Sequence, residues 1–251
     1  MNEQIFTGVG EIYAKFRPTY PSALIQYLCT NIGINDKSVV ADVGSGTGIL
    51  TRLLLNIGAK VYAVEPNEDM RKVAETNLRG SSNFISINAT AEDTTLIGHS
   101  VDYITVAQAF HWFNRISFKK ECQRILKPNG KVILIWNRRD EASELVQAID
   151  SISQKYCPQF SGSSCGMRGA KTENEYQDFF TEKYNTQLFP NDILFDKERF
   201  IGLHQSASYR LNQTDKNYHN YIRDLSDFFD SHCTNNQLIL PNNTCCYIGS
   251  V

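Results

Sequence analysis

The chain has 251 residues and a formal net charge of −2, so it is long enough for one large α/β domain or two small ones without metal or disulfide support. Its Lys and Arg residues are scattered, which argues against a dedicated binder of nucleic acid or anionic membranes. The N-terminal residues lack a basic start followed by an apolar run, and no window approaches the roughly 18 apolar residues of a membrane span. We therefore expect a cytoplasmic protein with a small-molecule partner.

The first half of the chain alternates strand and helix patterns. The run SVVADV (38–43) is apolar on both faces, as a strand inside a parallel sheet should be. A helical pattern begins at Ile49 and ends at Gly58. The alternation continues with predicted strands at 60–65, 83–88, 101–107 and 131–137, and with predicted helices at 67–80 and 116–126. This order predicts a parallel, doubly wound sheet with right-handed crossovers.

The pattern loosens beyond Asn137, because roughly fifty residues pass before the next convincing strand at 188–195. Helical patterns over 142–156 and 173–184 predict a cap over the sheet edge, with 161–171 as its mobile part. A final helix near 217–229 and a terminal strand, TCCYIGSV, complete the chain.

The seven cysteines form no CxxC pair and have no matching histidine spacing. The sequence therefore predicts neither a metal site nor a disulfide framework, and we expect the thiols to behave as small hydrophobic groups.

The segment ADVGSGTGIL (41–50) places a glycine loop between the first predicted strand and its helix, where backbone N–H groups face a bound cofactor. A dinucleotide loop of the GxGxxG type needs a third small residue at the position of Ile49. The pattern here is GxGxG, formed by Gly44, Gly46 and Gly48. The spacing therefore argues against a dinucleotide.

The charge of the loop points in the same direction. Asp42 precedes the first glycine by two positions and suits a cationic ligand better than a pyrophosphate. S-adenosylmethionine carries a sulfonium and an ammonium group and no phosphate, so it fits both the glycines and the carboxylate. Glu65, which follows the second strand, is placed to hold ribose hydroxyls in either cofactor class.

These motifs resemble those of the class I S-adenosylmethionine-dependent methyltransferases, in particular the methyltransferase type 11 group with its trans-aconitate methyltransferase-like proteins. The similar segments are ADVGSGTG, VEPNEDM, NATAEDT, VAQAFHWFN, LKPNGKVILIWNR, the N-terminal YAKFRPTYP and the C-terminal YIGSV. Because these segments are spread from the N-terminal to the C-terminal part, the resemblance covers nearly the whole chain. The resemblance implies an α/β fold with a Rossmann-like, doubly wound, seven-stranded and mostly parallel sheet. Its last strand is antiparallel, and a helical cap is inserted between strands five and six.

The resemblance also implies a set of cofactor contacts. The implied cofactor-binding residues are Tyr13, Arg17, Asp42, Gly44, Gly46, Gly48, Glu65, Pro66, Met70, Ala91, Glu92 and Gln108. The glycines approach the methionine part, and Asp42 orders its amine directly or through water. Glu65 holds the ribose.

The adenine ring is expected between Pro66 and Met70, with its edge read by Ala91 and Glu92; Asp93 is a competing choice for the acid. Tyr13 and Arg17 match an N-terminal helix that closes over the cofactor. In that arrangement Arg17 is suited to clamp the methionine carboxylate, although it also fits a plain surface charge.

The catalytic candidates follow the fourth and fifth predicted strands, at the sheet edge where α/β proteins bind ligands. His111 is the candidate general base, or alternatively a residue that only orients the loop. A carboxylate acceptor would need no base at all. The predicted substrate contacts are Phe110, Trp112, Trp136 and Arg138. Either Arg138 or Arg139 suits an anionic substrate, and either also fits a pairing with Asp140 or Glu141.

We therefore expect one methyltransferase domain over 1–251 that uses S-adenosylmethionine to methylate a small molecule, with the oligomeric state left open. Its parts are a cofactor-closing segment (1–36), a cofactor-binding core (37–137), a cap (138–186) and the C-terminal part of the sheet (187–251). Two rival interpretations are a non-catalytic S-adenosylmethionine sensor or partner subunit, and a nicotinamide-dependent oxidoreductase.

Overall fold

The computed structural model of the chain describes residue 8, residues 10–162 and residues 175–251. Most of the predicted mobile part of the cap, from 163 to 171, lies outside these residues. The helices described are α1 (Gly10–Phe16), α2 (Ser22–Tyr27), α3 (Ile49–Asn56), α4 (Glu68–Leu78), α5 (Arg115–Ile125), α6 (Glu144–Tyr156), α7 (Lys197–Gln205) and α8 (Tyr218–His232). The strands described are β1 (Val39–Val43), β2 (Lys60–Val64), β3 (Phe84–Ile87), β4 (Val101–Ala107), β5 (Leu126–Arg139), β6 (Asn185–Pro190), β7 (Ile193–Phe195), β8 (Leu238–Leu240) and β9 (Asn242–Gly249).

In the described part of the chain, seven strands form one sheet in the order β3-β2-β1-β4-β5-β9-β6. Strand β9 pairs antiparallel with both β5 and β6, and the other pairings in this sheet are parallel. The predicted Rossmann-like, mostly parallel sheet with an antiparallel last strand is therefore confirmed. The strand order reverses between β1 and β4, which is where open α/β sheets bind ligands.

Strand β5 runs through the centre of the core and explains why its sequence is apolar without alternation. Val132, Leu134 and Trp136 belong to the core cluster on one face of the sheet, and Ile133 and Ile135 to the cluster on the other. Both faces are covered, so every position from 132 to 136 is buried. This burial stabilises the strand that carries the arginines at its carboxyl end.

A third apolar cluster forms the cap beside the sheet. It joins Ile149 of α6 to Phe200 of α7 and to Leu225 of α8, together with β7 and β8, which pair as a separate two-stranded sheet. The cap is therefore built from two segments of the chain, one after β5 and one after β6. The sequence patterns predicted the first segment and did not predict α7.

The predicted single strand at 188–195 is wrong, because the chain forms two strands in two different sheets there. β6 ends at Pro190 and pairs with β9, whereas β7 begins at Ile193 and pairs with β8. Asn191 and Asp192 separate the two strands. The Asn191 N–H donates to the backbone oxygen of Asn242, and the Asn242 N–H donates to the Asp192 carboxylate. The chain thereby leaves the main sheet for the cap.

The predicted helix at 173–184 is also wrong over its described part, 175–184, which consists of turns and bends. Tyr176, Phe179, Phe180 and Tyr184 have helical spacing, and that spacing suggested the helix. In the fold they pack as an aromatic cluster, for example with the Tyr176 ring 4.7 Å from the ring of Tyr247 on β9. Burial of these rings explains the pattern without a helix.

Helix α1 connects the core to the cap, because it contacts both α4 of the core and α7 of the cap. The Gly8 N–H donates to the Asp69 carboxylate over 2.7 Å, at the start of α4. At the other end of α1, the Phe16 ring packs directly on Gly202 of α7, where a Cβ atom would lie 2.3 Å from the ring. This packing fixes the segment that carries Tyr13 and Arg17.

Of the helices in the described residues, none combines the length and apolar character needed to traverse a lipid bilayer.

Candidate functional site

The glycine loop connects β1 to α3 with three residues in the left-handed region: φ is +67° at Gly44, +57° at Gly46 and +81° at Gly48. A Cβ atom on Gly44 would lie 2.6 Å from the Cβ of Ala109, so this glycine allows the segment after β4 to approach. A Cβ atom on Gly46 would meet nothing within 4 Å. Gly46 therefore borders open space.

That space is a cavity of about 290 Å³ at the carboxyl ends of β1, β2 and β4, which we call the first cavity. Its lining residues are Tyr13, Gly44, Gly46, Glu65, Pro66, Asn67, Met70, Thr90, Ala91, Glu92, Ala107, Gln108, Ala109, Trp112 and Phe113. Nine of the twelve residues predicted to bind the cofactor are among them. Arg17, Asp42 and Gly48 are not.

Glu65 is held at the wall of the first cavity by backbone N–H groups. Its Oε2 accepts from the Gly46 N–H over 2.8 Å, and its Oε1 accepts from the Asn67 N–H over 2.9 Å. Burial raises the pKa of this carboxyl, and the two backbone hydrogen bonds oppose that shift. The carboxylate is thus fixed in place, with lone pairs left to accept from a ligand.

Asp42 lies behind the loop and does not line the first cavity. Its two oxygens accept from the hydroxyls of Thr51 on α3, over 2.6 Å, and Thr105 on β4, over 2.8 Å. Burial raises its pKa to about 6 in spite of these hydrogen bonds. The resemblance implied that Asp42 orders the ligand's amine directly or through water; in the structure this carboxylate ties β1, α3 and β4 together.

Of the two acids predicted for the adenine edge, Glu92 lines the first cavity and Asp93 is exposed. Glu92 Oε1 accepts from the Asn114 N–H over 2.7 Å, which joins this loop to the start of α5. The sequence did not predict Asn67, Thr90, Ala107, Ala109 and Phe113 as lining residues. Each lies inside one of the motifs named above, which was the available signal.

A second cavity, of about 120 Å³, lies between the sheet edge, α1 and the cap. Its lining residues are Tyr13, Arg17, Pro18, Tyr20, Ile49, Gln108, His111, Trp112, Asn137, Arg139, Ile193, Phe195, Leu203, Ala207, Ser208, Tyr209, Leu240 and Asn242. Most come from the cap and from the ends of β5 and β9, and those from the cap lie outside the motifs named above.

The two cavities share Tyr13, Gln108 and Trp112. Gln108 has φ +59°, a left-handed conformation that is uncommon for a residue with a side chain. Its side-chain N–H donates to the backbone oxygen of Asn137 over 3.2 Å. Strained backbone of this kind concentrates at functional sites, and here it lies where the two cavities meet.

His111 borders the second cavity and contacts two aromatic rings, with ring centroids 4.4 Å from Trp112 and 5.4 Å from Trp136. Its Nδ1 is buried and has no hydrogen-bond partner among the described residues. Burial lowers the pKa of this imidazole to about 4, below the near-neutral value expected from the sequence. His111 is therefore uncharged at neutral pH and able to accept a proton.

Arg17 reaches the second cavity from the end of α1. Its guanidinium stacks on the Tyr13 ring, 4.7 Å from the ring centre, and donates to the backbone oxygen of Ser206 over 2.9 Å. Its Nε is buried without a hydrogen-bond partner in the described part of the chain. Arg17 is thus held by both α1 and the cap, with a donor still available.

Three of the predicted substrate contacts lie away from both cavities, and only Trp112 lines them. Phe110 is buried in the core, with its ring 4.7 Å from that of Phe179, and Trp136 is buried in the same cluster. Arg138 is paired with Glu175 over 2.9 Å. Successive strand residues face opposite sides, so Arg139 and not Arg138 lines the second cavity.

The first cavity fits S-adenosylmethionine in the charge of its lining and in the open space at Gly46. Among its described lining residues are the carboxylates of Glu65 and Glu92 and no Lys or Arg, so a pyrophosphate would meet no cation there. Gly46 leaves open space for a close backbone contact. A cationic, phosphate-free nucleoside matches this environment. The described residues contain no group of three or more His, Cys, Asp or Glu side chains arranged to hold a metal ion.

Comparison with known proteins supports the same assignment. Residues 41–134 match the family described as methyltransferase domain. An uncharacterized methyltransferase of Mycobacterium tuberculosis is 36% identical over 140 residues, which cover 56% of this chain and 55% of that protein. An uncharacterized methyltransferase of Schizosaccharomyces pombe is 32% identical over 144 residues, covering 57% of this chain and 56% of that protein. The chain thus spans about half the length of the curated relatives it matches.

Solved structures agree on the fold. A proposed type II methyltransferase from Anaeromyxobacter dehalogenans superposes with a TM-score of 0.67 at 22% identity, over 94% of this chain and 98% of that one. Residues 41–134 therefore carry a methyltransferase domain within a Rossmann-like fold that the solved structure shares, and S-adenosylmethionine is the cofactor that this domain and the first cavity imply.

Proposed function

We propose that this protein transfers a methyl group from S-adenosylmethionine to a small-molecule acceptor bound in the second cavity. The observation that carries the proposal is the junction of the two cavities at Tyr13, Gln108 and Trp112. A cofactor in one cavity and an acceptor in the other would meet at this junction. In-line transfer requires that arrangement.

Glu65 is proposed to hold the ribose hydroxyls with the oxygens that the Gly46 and Asn67 N–H groups already orient. Pro66 and Met70 flank the adenine ring in this proposal, and Ala91 with Glu92 reads its edge. When bound, S-adenosylmethionine supplies a methyl group on a positively charged sulfur, which is already activated for displacement.

Arg17 is proposed to hold the methionine carboxylate, supported by its available Nε donor and its place at the end of α1. Gly44, Gly46 and Gly48 bring the loop backbone close to the methionine part. Asp42 is proposed to act indirectly, since its carboxylate is fully engaged by Thr51 and Thr105 and fixes the loop from behind.

His111 is proposed to accept the proton of a hydroxyl or amine nucleophile at its unpartnered Nδ1. The neutral imidazole has the correct protonation state at pH 7, although its low pKa makes it a weaker base than a free histidine. Trp112 and Tyr13 border the junction and are proposed to exclude water and to face the sulfonium with their aromatic rings.

A small acceptor is supported by the size of the second cavity, about 120 Å³, and by the scattered basic residues of the chain, which offer no stripe for nucleic acid. We place this activity in the cytoplasm and retain the trans-aconitate methyltransferase-like subgroup as a prediction.

The test is a single-turnover experiment with methyl-labelled S-adenosylmethionine and fractionated metabolite extracts. We expect label to move into one or a few small metabolites with formation of S-adenosylhomocysteine, and an E65A variant to reduce this transfer at limiting cofactor. Binding of cofactor without transfer to any fraction would favour the sensor interpretation and overturn the proposal.

A further inference from the structure

The two cavities carry side chains of opposite charge. Among the described residues, the first cavity is lined by Glu65 and Glu92 and by no basic side chain. The second is lined by Arg17 and Arg139 and by no Asp or Glu. The charge changes sign across the shared junction, so the two cavities suit ligands of opposite charge.

Arg139 and Asn242 form one unit at the wall of the second cavity. They are directly paired in the antiparallel register of β5 and β9, which puts their side chains on the same face of the sheet. Asn242 is 5% exposed, and its Nδ2 has no hydrogen-bond partner among the described residues. A buried amide without a partner costs stability, and an acceptor atom from a ligand would remove that cost.

One acidic neighbour offsets part of the charge of this unit from outside the cavity. Asp150 lies 3.9 Å from the Arg139 guanidinium and is not part of the cavity lining. His204 is buried just behind the wall. Its pKa is lowered well below the usual histidine value, mainly by burial and also by the charges of Arg139 and Arg17. It is therefore neutral, and the charged side chains among the described lining residues are the two arginines, Arg17 and Arg139.

The rest of the wall is apolar. Ile193 and Phe195 of β7, Leu203 of α7 and Leu240 of β8 contribute aliphatic and aromatic surface from the cap. Polar groups on one side and an apolar wall on the other suit a ligand with one charged end and an apolar body.

We infer that the methyl acceptor is an apolar molecule with a single anionic group, which Arg139 and Asn242 bind while its body packs on Phe195, Leu203 and Leu240. This inference rests on the proposed function, because it names the acceptor class for the same site. Arg17 is assigned to the methionine carboxylate, which leaves one guanidinium, Arg139, for one acceptor anion.

The test measures binding of four probes to the full chain saturated with S-adenosylhomocysteine, by titration calorimetry. The probes are 3-phenylpropionate, its neutral analogue 3-phenylpropan-1-ol, its cationic analogue 3-phenylpropylamine, and the trianion propane-1,2,3-tricarboxylate. We expect 3-phenylpropionate to bind at least tenfold more tightly than each of the others. Equal or tighter binding of the alcohol or the amine overturns the anionic group, and tighter binding of the tricarboxylate overturns the apolar body.

Two matched pairs of variants locate the site. R139Q is expected to weaken 3-phenylpropionate binding at least tenfold, whereas R223Q, on an exposed arginine of α8, leaves it unchanged. N242D, which keeps the shape of the side chain, is expected to abolish binding, whereas N243D, on the next residue of β9, preserves it. Equal effects within either pair would overturn the assignment, and melting temperatures identify any variant that fails to fold.

The outcomes separate this inference from the proposed function. Methyl transfer to a metabolite, combined with a preference for the neutral alcohol, overturns the inference alone. Binding of S-adenosylhomocysteine without transfer to any extract overturns the proposed function, while the order of the four probes still decides the charge preference of the second cavity.

Discussion

The carboxylate of Glu65 accepts a hydrogen bond from the Gly46 backbone N–H over 2.8 Å, so the acidic residue after β2 is tied directly to the glycine loop after β1. Its second oxygen accepts from the Asn67 N–H, which lies at the start of α4. The wall of the first cavity is thus fixed by the protein itself. Preorganisation of this kind lowers the entropic cost of binding a ligand.

Replacing Glu65 by alanine is expected to weaken cofactor binding by about 1 to 3 kcal/mol, because charge-assisted hydrogen bonds to the ribose are lost. The measurement is the dissociation constant of S-adenosylhomocysteine by calorimetry. The exposed Glu68, three residues further along, serves as the matched control, and E68A should bind as the wild type does. An unchanged affinity in E65A would show that the ribose is held elsewhere.

A methyl group on Gly46 is expected to block the cofactor while the fold survives. The added Cβ meets no protein atom within 4 Å, so the cost in stability is only the strain of φ +57°, of order 1 to 2 kcal/mol. The same methyl group occupies space against which the cofactor would lie, and we expect S-adenosylhomocysteine affinity to fall at least tenfold. G80A, at an equally open glycine without positive φ, is the control. Normal affinity in G46A would place the cofactor away from the loop.

Asp42 is expected to make the folded state less stable as pH rises from about 4 to about 6. In the native state this carboxyl keeps its proton up to about pH 6, whereas in the unfolded chain it loses the proton near pH 4. The native state therefore binds more protons in this window, and the free energy of unfolding falls as pH increases.

The D42N variant removes this contribution because it never ionises. The free energy of unfolding of D42N relative to the wild type should rise between pH 4 and pH 7 by on the order of 3 kcal/mol, equivalent to two pKa units. Urea unfolding at a series of pH values measures the difference, with D36N on an exposed aspartate as control. A difference that does not change with pH would mean that Asp42 ionises normally in the fold.

Loss of His111 is expected to reduce turnover by about 100-fold with cofactor affinity retained, because the variant H111A lacks the proton acceptor. In the wild type, the pKa of about 4 predicts that kcat shows no inflection near pH 6.5, since the imidazole is already neutral there. Steady-state rates from pH 5 to 8 test this, with H219A at an exposed histidine as control. A decrease of only a few-fold in H111A would assign the ring a purely positioning role.

The low pKa of His111 also makes the free energy of unfolding depend on pH, with the opposite sign to the dependence caused by Asp42. As pH falls below about 6.5, the unfolded chain takes up a proton on His111 before the folded chain does, so the native state is weakened between pH 6.5 and 4. H111A should therefore resist mild acid better than the wild type in unfolding experiments. A pH dependence shared by both proteins would show that the ring titrates normally.

The glycine loop and the central sheet could be predicted because their signals are local. Gly44, Gly46 and Gly48 lie between an apolar strand and a helical pattern, within the ten residues 41–50. The same ten residues include Asp42, which indicated a phosphate-free cofactor. Buried parallel strands are likewise apolar throughout, which separates β5 from the amphipathic helices around it. Nine predicted cofactor residues consequently line one cavity.

The cap and the second cavity could not be predicted from local patterns, because their residues come from segments far apart in the chain. The spacing of Tyr176, Phe179 and Tyr184 fits a helix as well as the aromatic cluster that forms. Only the register of β5 against β9 decides that Arg139 faces the cavity beside Asn242 while Arg138 pairs with Glu175 on the other side. The sequence by itself determined the fold of the core and the class of cofactor through local patterns, whereas long-range strand pairing decided which side chains surround the acceptor.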